Sequence, residues 1–315
     1  MLKFIDLFSG VGGFHFAFKG KAKCVFASEW DKKARETYLE NHGEDMEGIT
    51  YDEDISKCDI KTIPEHDILC AGFPCQPFSL AGSQLGFKHK TQGTLFYNIL
   101  DIIDEKKPKV LFLENVKNLV SHKNGKTYEI IINSLKERGY YIKDNVLNGS
   151  EYGNVPQNRE RIFIVAFKNK EQYDKFEFPE KIALTKTIDD ILEKNVDDKY
   201  YQRNLNSPSV KIMHEQITKK GTFYQYRRNH VRENKKQLCF TLTANMGTGG
   251  HNVPLILDEK GIRKLTPREC FRLQGYPDSF KFPQKMSNSS LYKQAGNSIV
   301  LSAVERIADN ILKTF

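Results

Sequence analysis

Cys75 is the residue of this sequence best placed to act as a nucleophile. It stands in the segment 72–77, Gly-Phe-Pro-Cys-Gln-Pro, directly after an apolar run that is typical of a buried strand. Prolines on both sides restrict the backbone, and parallel sheets place their ligands at the carboxyl ends of strands. No nearby histidine offers itself as a thiol base, so a papain-like dyad is not indicated. Buried structural cysteines seldom lie between two prolines, but this is the usual interpretation for Cys24, Cys58, Cys70, Cys239 and Cys270.

Two further segments carry groups that could assist a nucleophile. Glu114, with Asn115, ends the apolar run 109–113, which puts a carboxyl group on the same edge of the predicted sheet as Cys75. Arg159 and Arg161 precede the run 162–167 and, two residues apart in an extended chain, should point the same way. Paired arginines are as often surface ion-pair partners as functional groups, so both interpretations of this pair stay open.

A glycine-rich turn, Ser-Gly-Val-Gly-Gly at 9–13, indicates a cofactor site because a ligand can approach backbone N–H groups there. The dinucleotide fingerprint needs Gly or Ala where His15 stands, which disfavours NAD and FAD. Glu29 could accept hydrogen bonds from ribose hydroxyls. Trp30, the only tryptophan, could stack on a purine. Asp54, after the next possible strand, could accept an adenine amino group. The alternative for Glu29 and Trp30 is a surface acid and a core aromatic residue.

Short apolar runs, separated by helix-like stretches, must position these groups. Helical spacing is present at 94–105 and at 127–138, where Gly139 ends the second helix. Continuous apolar strands that alternate with helices predict a parallel, doubly wound α/β sheet covered on both faces. The predicted strands lie at residues 3–8, 23–27, 67–71, 109–113, 140–147 and 161–167.

The pattern divides the chain into three parts. Residues 1–170 form the predicted catalytic and cofactor-binding domain, and residues 171–285, which are polar, aromatic and basic, form a second, smaller domain. Residues 286–315 return to the first domain, with helical spacing from residue 296 onward.

Composition narrows the classes of protein. The chain has 315 residues, 48 Lys and Arg, 40 Asp and Glu, and a net charge of +8. Residues 199–240 contain ten basic and two acidic residues, so the rest of the chain has 38 basic and 38 acidic residues and no net charge. This basic segment raises the possibility of a polyanionic partner. No apolar run approaches the roughly 18 residues that span a bilayer. Without zinc spacing or a signal-peptide pattern, the sequence predicts a cytoplasmic protein without a metal.

Six segments, in this order, resemble the motif set of the DNA (cytosine-5) methyltransferases, and the match extends from residue 4 to about residue 305. Its short length is similar to that of the small bacterial and phage modification enzymes of type II restriction systems. The resemblance implies a Rossmann-like, S-adenosylmethionine-dependent methyltransferase sheet with a smaller target-recognition domain. The matching segments are 6–13, 72–76, 114–116, 157–161, 263–269 and 296–298.

The resemblance implies sequence-specific methylation of C5 in a cytosine that is flipped out of double-stranded DNA. Cys75 matches the thiolate that adds to C6, and Glu114 matches the glutamate that contacts N3 and N4. Arg159 and Arg161 match the positions that hold the cytosine O2 and the nearby backbone. These four residues are the predicted catalytic set.

Cofactor and DNA contacts carry over in the same way. S-adenosylmethionine, which leaves as S-adenosylhomocysteine, is expected to contact Phe8, Gly10, Gly12, Glu29, Trp30, Asp54, Ile55, Pro74, Leu95 and Asn297. Segment 76–94 corresponds to a loop that closes over DNA, and 245–250 to a second recognition segment. The residues expected to contact DNA are Gln76, Ser79, Arg227, Arg228 and Thr241.

The resemblance also implies partners and leaves alternatives. A restriction endonuclease of the same specificity is the expected functional partner, and a monomer suffices for the chemistry. One alternative is a tRNA cytosine-5 methyltransferase of the same fold, which the long basic second domain disfavours. Others are a catalytically inactive DNA-binding relative, which the intact catalytic set disfavours, and a Rossmann oxidoreductase. The second domain matches the family only at Thr241 and Leu242, so the recognised DNA sequence stays open.

Overall fold

A seven-stranded sheet forms the centre of the computed structural model, which describes residues 1–45, 47–74, 95–247 and 253–315. The strand order is 3-2-1-4-5-7-6. The strands are β1 (Lys3–Leu7), β2 (Lys23–Ser28), β3 (Thr50–Asp52), β4 (Ile68–Gly72), β5 (Val110–Val116), β6 (Tyr141–Asn148) and β7 (Glu160–Phe167).

The sheet confirms the α/β class but is mixed rather than wholly parallel. Strands β1 to β5 pair in parallel, whereas β7 runs antiparallel to both β5 and β6. The prediction of a parallel sheet is therefore wrong for β7. Only residues 149–159 join β6 to β7, and a parallel pair needs a crossover of about a dozen residues or more. The apolar pattern could not reveal the direction, because most of β7 is buried.

Helices cover both faces of this sheet. Helices α3 and α4 confirm the two predicted helices, and Gly139 has the left-handed φ of +76° that ends the second one. No helix in the described ranges is both long and apolar enough to cross a membrane. The helices are α1 (Gly13–Phe18), α2 (Lys32–His42), α3 (Leu95–Lys106), α4 (Lys126–Glu137), α5 (Gly149–Tyr152), α6 (Lys170–Lys175), α7 (Pro208–Gln216), α8 (Pro267–Leu273), α9 (Asn288–Asn297) and α10 (Leu301–Leu312).

Alternate residues of the central strands pack into two apolar layers. In β5, Leu111 and Leu113 face the layer that contains the apolar residues of α3 and α4. Val110 and Phe112 face the opposite layer, to which α1, α8 and α10 contribute. The central strands are thus buried on both faces, so a site in this part of the sheet has to form at the strand ends.

A second, four-stranded antiparallel sheet lies within the predicted second domain. Its strands are β8 (Tyr224–Arg227), β9 (His230–Glu233), β10 (Leu255–Asp258) and β11 (Gly261–Lys264), in the order 11-10-8-9. A small separate core supports it, formed by Met213, Ile217, Tyr224, Tyr226, Leu255 and Ile262. Phe271 and Phe280, also inside the predicted range 171–285, pack instead in the main core. The division into domains therefore stays a prediction.

The C-terminal segment contains two helices rather than the single helical stretch expected from residue 296 onward. Helix α9 ends at Asn297, and α10 begins at Leu301 and packs against α1. Between them Ser298 is extended, with φ −73° and ψ 164°. This break leaves the carboxyl end of α9 free to line a cavity at the sheet edge.

Two buried histidines stack beneath the glycine-rich turn. The rings of His15 and His42 lie 4.0 Å apart at an interplanar angle of 6°, and His15 Nδ1 lies 2.6 Å from the Tyr38 hydroxyl. With Asp45 they bring possible metal-ligand atoms within 4.8 Å of one another. Parallel stacked rings cannot both direct an in-plane nitrogen at one ion, so this arrangement does not form a metal site. Burial lowers the pKa of His15 to about 4 and that of His42 to about 2.

We expect the free energy of unfolding to fall as the pH drops from about 6.5 towards 4, because unfolded histidines take up protons there and these folded ones do not. At pH 5 the loss should be about 2 kcal/mol per histidine. Denaturant titrations over this range measure it. The His42→Gln variant should show a weaker pH dependence of the free energy of unfolding. The control is His230→Gln, at an exposed histidine, and it should keep the pH dependence of the wild type. An equal pH dependence in all three proteins would contradict the prediction.

Candidate active site

A cavity of about 450 Å³ opens at the carboxyl ends of β1, β2, β4 and β5, with the carboxyl end of α9 as its opposite wall. Parallel strands end at this edge of the sheet, so residues distant in sequence meet here. The sequence-predicted residues that line the cavity are Phe8, Gly10, Glu29, Trp30, Pro74, Leu95, Glu114, Arg159, Arg161 and Asn297.

The glycine-rich turn forms one wall through unusual backbone angles. Phe8 and Gly10 have φ of 56° and 55°, so the chain turns sharply where β1 ends. The Glu29 carboxylate holds this turn, since it accepts a hydrogen bond from the Gly10 N–H at 2.9 Å and one from the Asp31 N–H at 2.8 Å. Burial raises the pKa of Glu29, and these hydrogen bonds oppose the rise.

Trp30 presents an open aromatic face to the cavity. Its side chain is 82% exposed, which is unusual for the single tryptophan of a chain, and Arg35 Nη1 holds its backbone carbonyl at 2.9 Å. An uncovered flat indole beside the half-buried Glu29 carboxylate suits a planar, hydroxyl-bearing ligand such as a nucleoside.

Three predicted cofactor residues lie away from the cavity wall. Gly12 faces the histidine stack, and a Cβ at this position would lie 2.3 Å from His42 Nε2, so packing requires glycine here. Asp54 caps its own loop, accepting hydrogen bonds from the N–H and hydroxyl of Ser56. Ile55 is buried in the apolar layer beneath α3.

Glu114 and Arg161 meet across the antiparallel pair β5 and β7. Glu114 lies opposite Phe163, and Arg161 lies opposite Val116, so the two side chains are diagonal neighbours on one face. Arg161 Nε and Glu114 Oε1 are 3.1 Å apart. Burial raises the pKa of the Glu114 carboxyl, although Arg161 and Arg159 oppose the rise. A carboxyl with a raised pKa keeps its proton to a higher pH than a free glutamate does, and it can then donate that proton.

Arg159 lines the same cavity but directs its guanidinium elsewhere. Its Nη1 donates to the Leu242 carbonyl at 2.7 Å, and its Nη2 donates to the carbonyls of Gly296 at 2.9 Å and Ser298 at 2.5 Å. The structure therefore separates the two arginines that the sequence treated as a pair.

Cys75, Gln76 and Ser79 lie outside the described residues. The chain that leads to Cys75 is nevertheless placed, because Phe73 and Pro74 line the cavity beside Glu114. The Asn115 side chain donates a hydrogen bond of 2.7 Å to the Phe73 carbonyl. The sequence interpretation gave Asn115 no role of its own, although its place after Glu114 at a strand end was a usable signal.

The predicted recognition residues fall in two places. Arg227 ends β8, and Arg228 begins the turn to β9, where Arg228 and Asn229 have φ of 51° and 62°. These angles belong to a tight hairpin turn, so both arginines lie exposed at its tip. Thr241 lies elsewhere, with its hydroxyl donating to the Asn158 carbonyl at 2.5 Å.

Helix α9 adds cavity residues that the sequence interpretation missed. Lys293 Nζ pairs with the Asp31 carboxylate at 2.6 Å, and Gln294 accepts a hydrogen bond from Thr37 at 2.9 Å and donates one to the Lys33 carbonyl. The sequence did carry a signal for these residues. Helical spacing precedes the Gly-Asn-Ser segment and puts residues 293 and 294 one turn before residue 297.

Sequence comparison identifies the family of this chain. The sequence profile described as C-5 cytosine-specific DNA methylase matches residues 2–313. The type II methyltransferase M.Bsp6I of Bacillus sp. (strain RFL6) is 48% identical over 318 residues, covering 100% of this chain and 99% of the relative. The type II methyltransferase M.HhaI of Haemophilus parahaemolyticus is 42% identical over 323 residues, covering 98% and 94%.

Solved structures show the same fold. The S. pombe Dnmt2 methyltransferase superposes with a TM-score of 0.75 at 22% identity, covering 99% of each chain. The chain therefore belongs to the C-5 cytosine-specific DNA methylase family, whose members transfer a methyl group from S-adenosylmethionine to C5 of cytosine in DNA.

Proposed function

We propose that this enzyme is the modification methyltransferase of a type II restriction–modification system and methylates one cytosine in a short DNA sequence. The observation that carries the proposal is the Glu114–Arg161 pair, at 3.1 Å, in a cavity that Pro74 also lines, one residue before Cys75. The names of the relatives M.Bsp6I and M.HhaI support the type II assignment.

The cavity fits S-adenosylmethionine. Its volume of about 450 Å³ is within the range of small-molecule sites. We place the purine on the Trp30 face, the ribose hydroxyls on Glu29, and the methionine part near Gly10 and Asn297, with Phe8, Pro74 and Leu95 completing the wall. Gly12, Asp54 and Ile55 are not part of this wall, and their contact with the cofactor stays a prediction.

The residues of this chain then divide the work on cytosine. The Cys75 thiolate forms a bond to C6, while Glu114 holds a proton at N3 and so offsets the charge that develops on the ring. Arg161 orients the Glu114 carboxylate and reaches the base edge. When bound, S-adenosylmethionine supplies an electrophilic methyl group to C5 and leaves as S-adenosylhomocysteine. Loss of the C5 proton then breaks the bond to C6 and regenerates the Cys75 thiolate.

Double-stranded DNA is the proposed substrate, with the target base flipped out of the stack at a cost of about a few kcal/mol. The segment 199–240 supplies positive charge for the phosphates. Some of its basic residues pair with acids, as Lys219 does with Glu233 at 3.4 Å. Arg227 and Arg228 make no ion pair with the described residues and remain at the hairpin tip for DNA.

The direct test is to incubate the protein with genomic DNA and S-adenosylmethionine, then to map protected cytosines by bisulfite sequencing. Protection at one short motif is the expected result. A monomer should suffice, and the methylated DNA should resist a restriction endonuclease that cuts at the same motif. If no cytosine in the DNA is protected, the proposal fails.

Replacing Arg228 by Ala should relax the sequence preference, because an arginine at the hairpin tip can read guanine O6 and N7 in the major groove. Binding constants for the mapped motif and for single-base variants of it measure the effect, with a loss of about 1–3 kcal/mol of discrimination at one position. Lys220→Ala is the matched control, because Lys220 is paired with Glu259 at 2.6 Å. If Arg228→Ala weakens all sequences equally and lowers the salt slope by about one, Arg228 contacts a phosphate instead.

A further inference from the structure

Two segments that belong to different parts of the fold lie side by side next to the cavity. The Cys239 N–H donates to the Pro156 carbonyl at 2.7 Å, and the Asn158 N–H donates to the Cys239 carbonyl at 2.9 Å. The Leu242 N–H donates to Gln157 Oε1 at 3.1 Å. Residues 239–243, here called the linking segment, are therefore hydrogen-bonded to the chain that enters β7.

Arg159 extends this connection to the cofactor wall. The side chain is 2% exposed, and its three hydrogen bonds all end on backbone carbonyls: Leu242 in the linking segment, and Gly296 and Ser298 at the cavity. Hydrogen bonds from a charged donor are about twice as strong as neutral ones. Breaking them would leave a buried charge without partners, which costs free energy. Arg161, two residues on, instead contacts Glu114.

The backbones joined by Arg159 are also in direct contact. A Cβ at Gly296 would lie 2.2 Å from both the carbonyl carbon and the oxygen of Thr243. Glycine is thus required there, and a displacement of the linking segment must move residues 296–298 as well. Those residues line the cavity, whereas the linking segment continues into the predicted second recognition segment, 245–250.

We infer that Arg159 is a positioning residue that couples DNA recognition to cofactor binding, rather than a contact to the cytosine. This inference rests on the proposed function, since it requires DNA at the recognition segment and S-adenosylmethionine in the cavity. When DNA fixes the linking segment, Arg159 holds Gly296 and Ser298 in the cofactor-binding arrangement. Such coupling is reciprocal, so each ligand raises the affinity of the other by the same factor.

The test compares the dissociation constant of S-adenosylhomocysteine with and without a duplex that contains the mapped motif. This ligand avoids turnover, and the ratio of the two constants reports the coupling alone. We expect a ratio of at least about fivefold in the wild-type enzyme, and a ratio within about twofold of one in Arg159→Lys. A loss of stability without a coupling role would change both constants and leave their ratio intact.

Arg306→Lys is the matched control. Arg306 also ties two backbone carbonyls, those of Tyr152 and Glu180, each at 2.8 Å, but it lies on α10, away from the linking segment. Its variant should keep the wild-type ratio. If Arg159→Lys does not fold, Thr241→Val serves in its place, because it removes the bond that joins the linking segment to the Asn158 carbonyl and should lower the ratio partially.

The outcomes separate the two proposals. A wild-type protein that methylates no DNA overturns the proposed function. A wild-type protein that methylates DNA but has a ratio of one overturns only the coupling. The coupling is also overturned if the ratio is unchanged in Arg159→Lys, or in Thr241→Val where that variant replaces it.

Discussion

The Cys75→Ala variant should lose methyl transfer by at least about four orders of magnitude while still binding DNA. Without the thiolate nothing adds to C6, and C5 of an unactivated cytosine is too weak a nucleophile to attack a methyl group. DNA affinity should persist, because it depends on the basic segment 199–240 and on the hairpin tip. Transfer of a labelled methyl group and a gel-shift assay measure the two quantities.

A matched cysteine and a trapped adduct make this prediction specific. Cys58 is partly buried and is not part of the cavity wall, so Cys58→Ala should keep wild-type transfer. With 5-fluorocytosine at the target position, the wild-type enzyme should remain covalently attached to DNA, since fluorine cannot leave as the C5 proton does. Methylation by Cys75→Ala at a rate near that of the wild type would refute the nucleophile assignment.

The Glu114→Gln variant should lose about 10²- to 10⁴-fold in kcat, because an amide cannot transfer a proton to N3. Glutamine has nearly the same size, so cofactor affinity should change little. The pH profile adds a signature. Burial raises the pKa of Glu114, and the proposed mechanism requires the protonated carboxyl, so the wild-type rate should fall as the pH rises through that pKa. Single-turnover rates across the pH range measure both effects.

Glu160 offers the control for that experiment. It begins β7, one residue before Arg161, pairs with Lys117 at 2.8 Å and is not part of the cavity wall. Glu160→Gln should therefore retain the wild-type rate and its pH dependence. A Glu114→Gln variant with an unchanged alkaline limb would show that another group donates the proton.

The predicted positions of strands and helices were mostly confirmed, because each depends on the local pattern of apolar residues. The apolar runs became strands, and helices α3 and α4 appeared at the expected positions. Seven of the ten residues that the family resemblance assigned to the cofactor line the cavity, and their contact with the cofactor stays a prediction. At Gly12, packing against His42 by itself already requires glycine, so residue type alone does not indicate a ligand contact there.

Predictions failed where the answer depends on which segments pack together. A buried antiparallel strand has the same apolar pattern as a buried parallel one, so the direction of β7 followed from the short connection that precedes it. Residue spacing likewise treated Arg159 and Arg161 as equivalent. Their partners differ because Arg161 faces Glu114 across β5, whereas Arg159 meets carbonyls from two distant segments.

The order of six short motifs was thus enough to identify the family, because each motif lies within a few consecutive residues. Tertiary packing decided which partners each side chain contacts. Arg159 illustrates this: its hydrogen bonds reach residues 83 and 137 positions away. A buried charge must be paired where it lies, and its partners are set by the fold rather than by its neighbours in sequence.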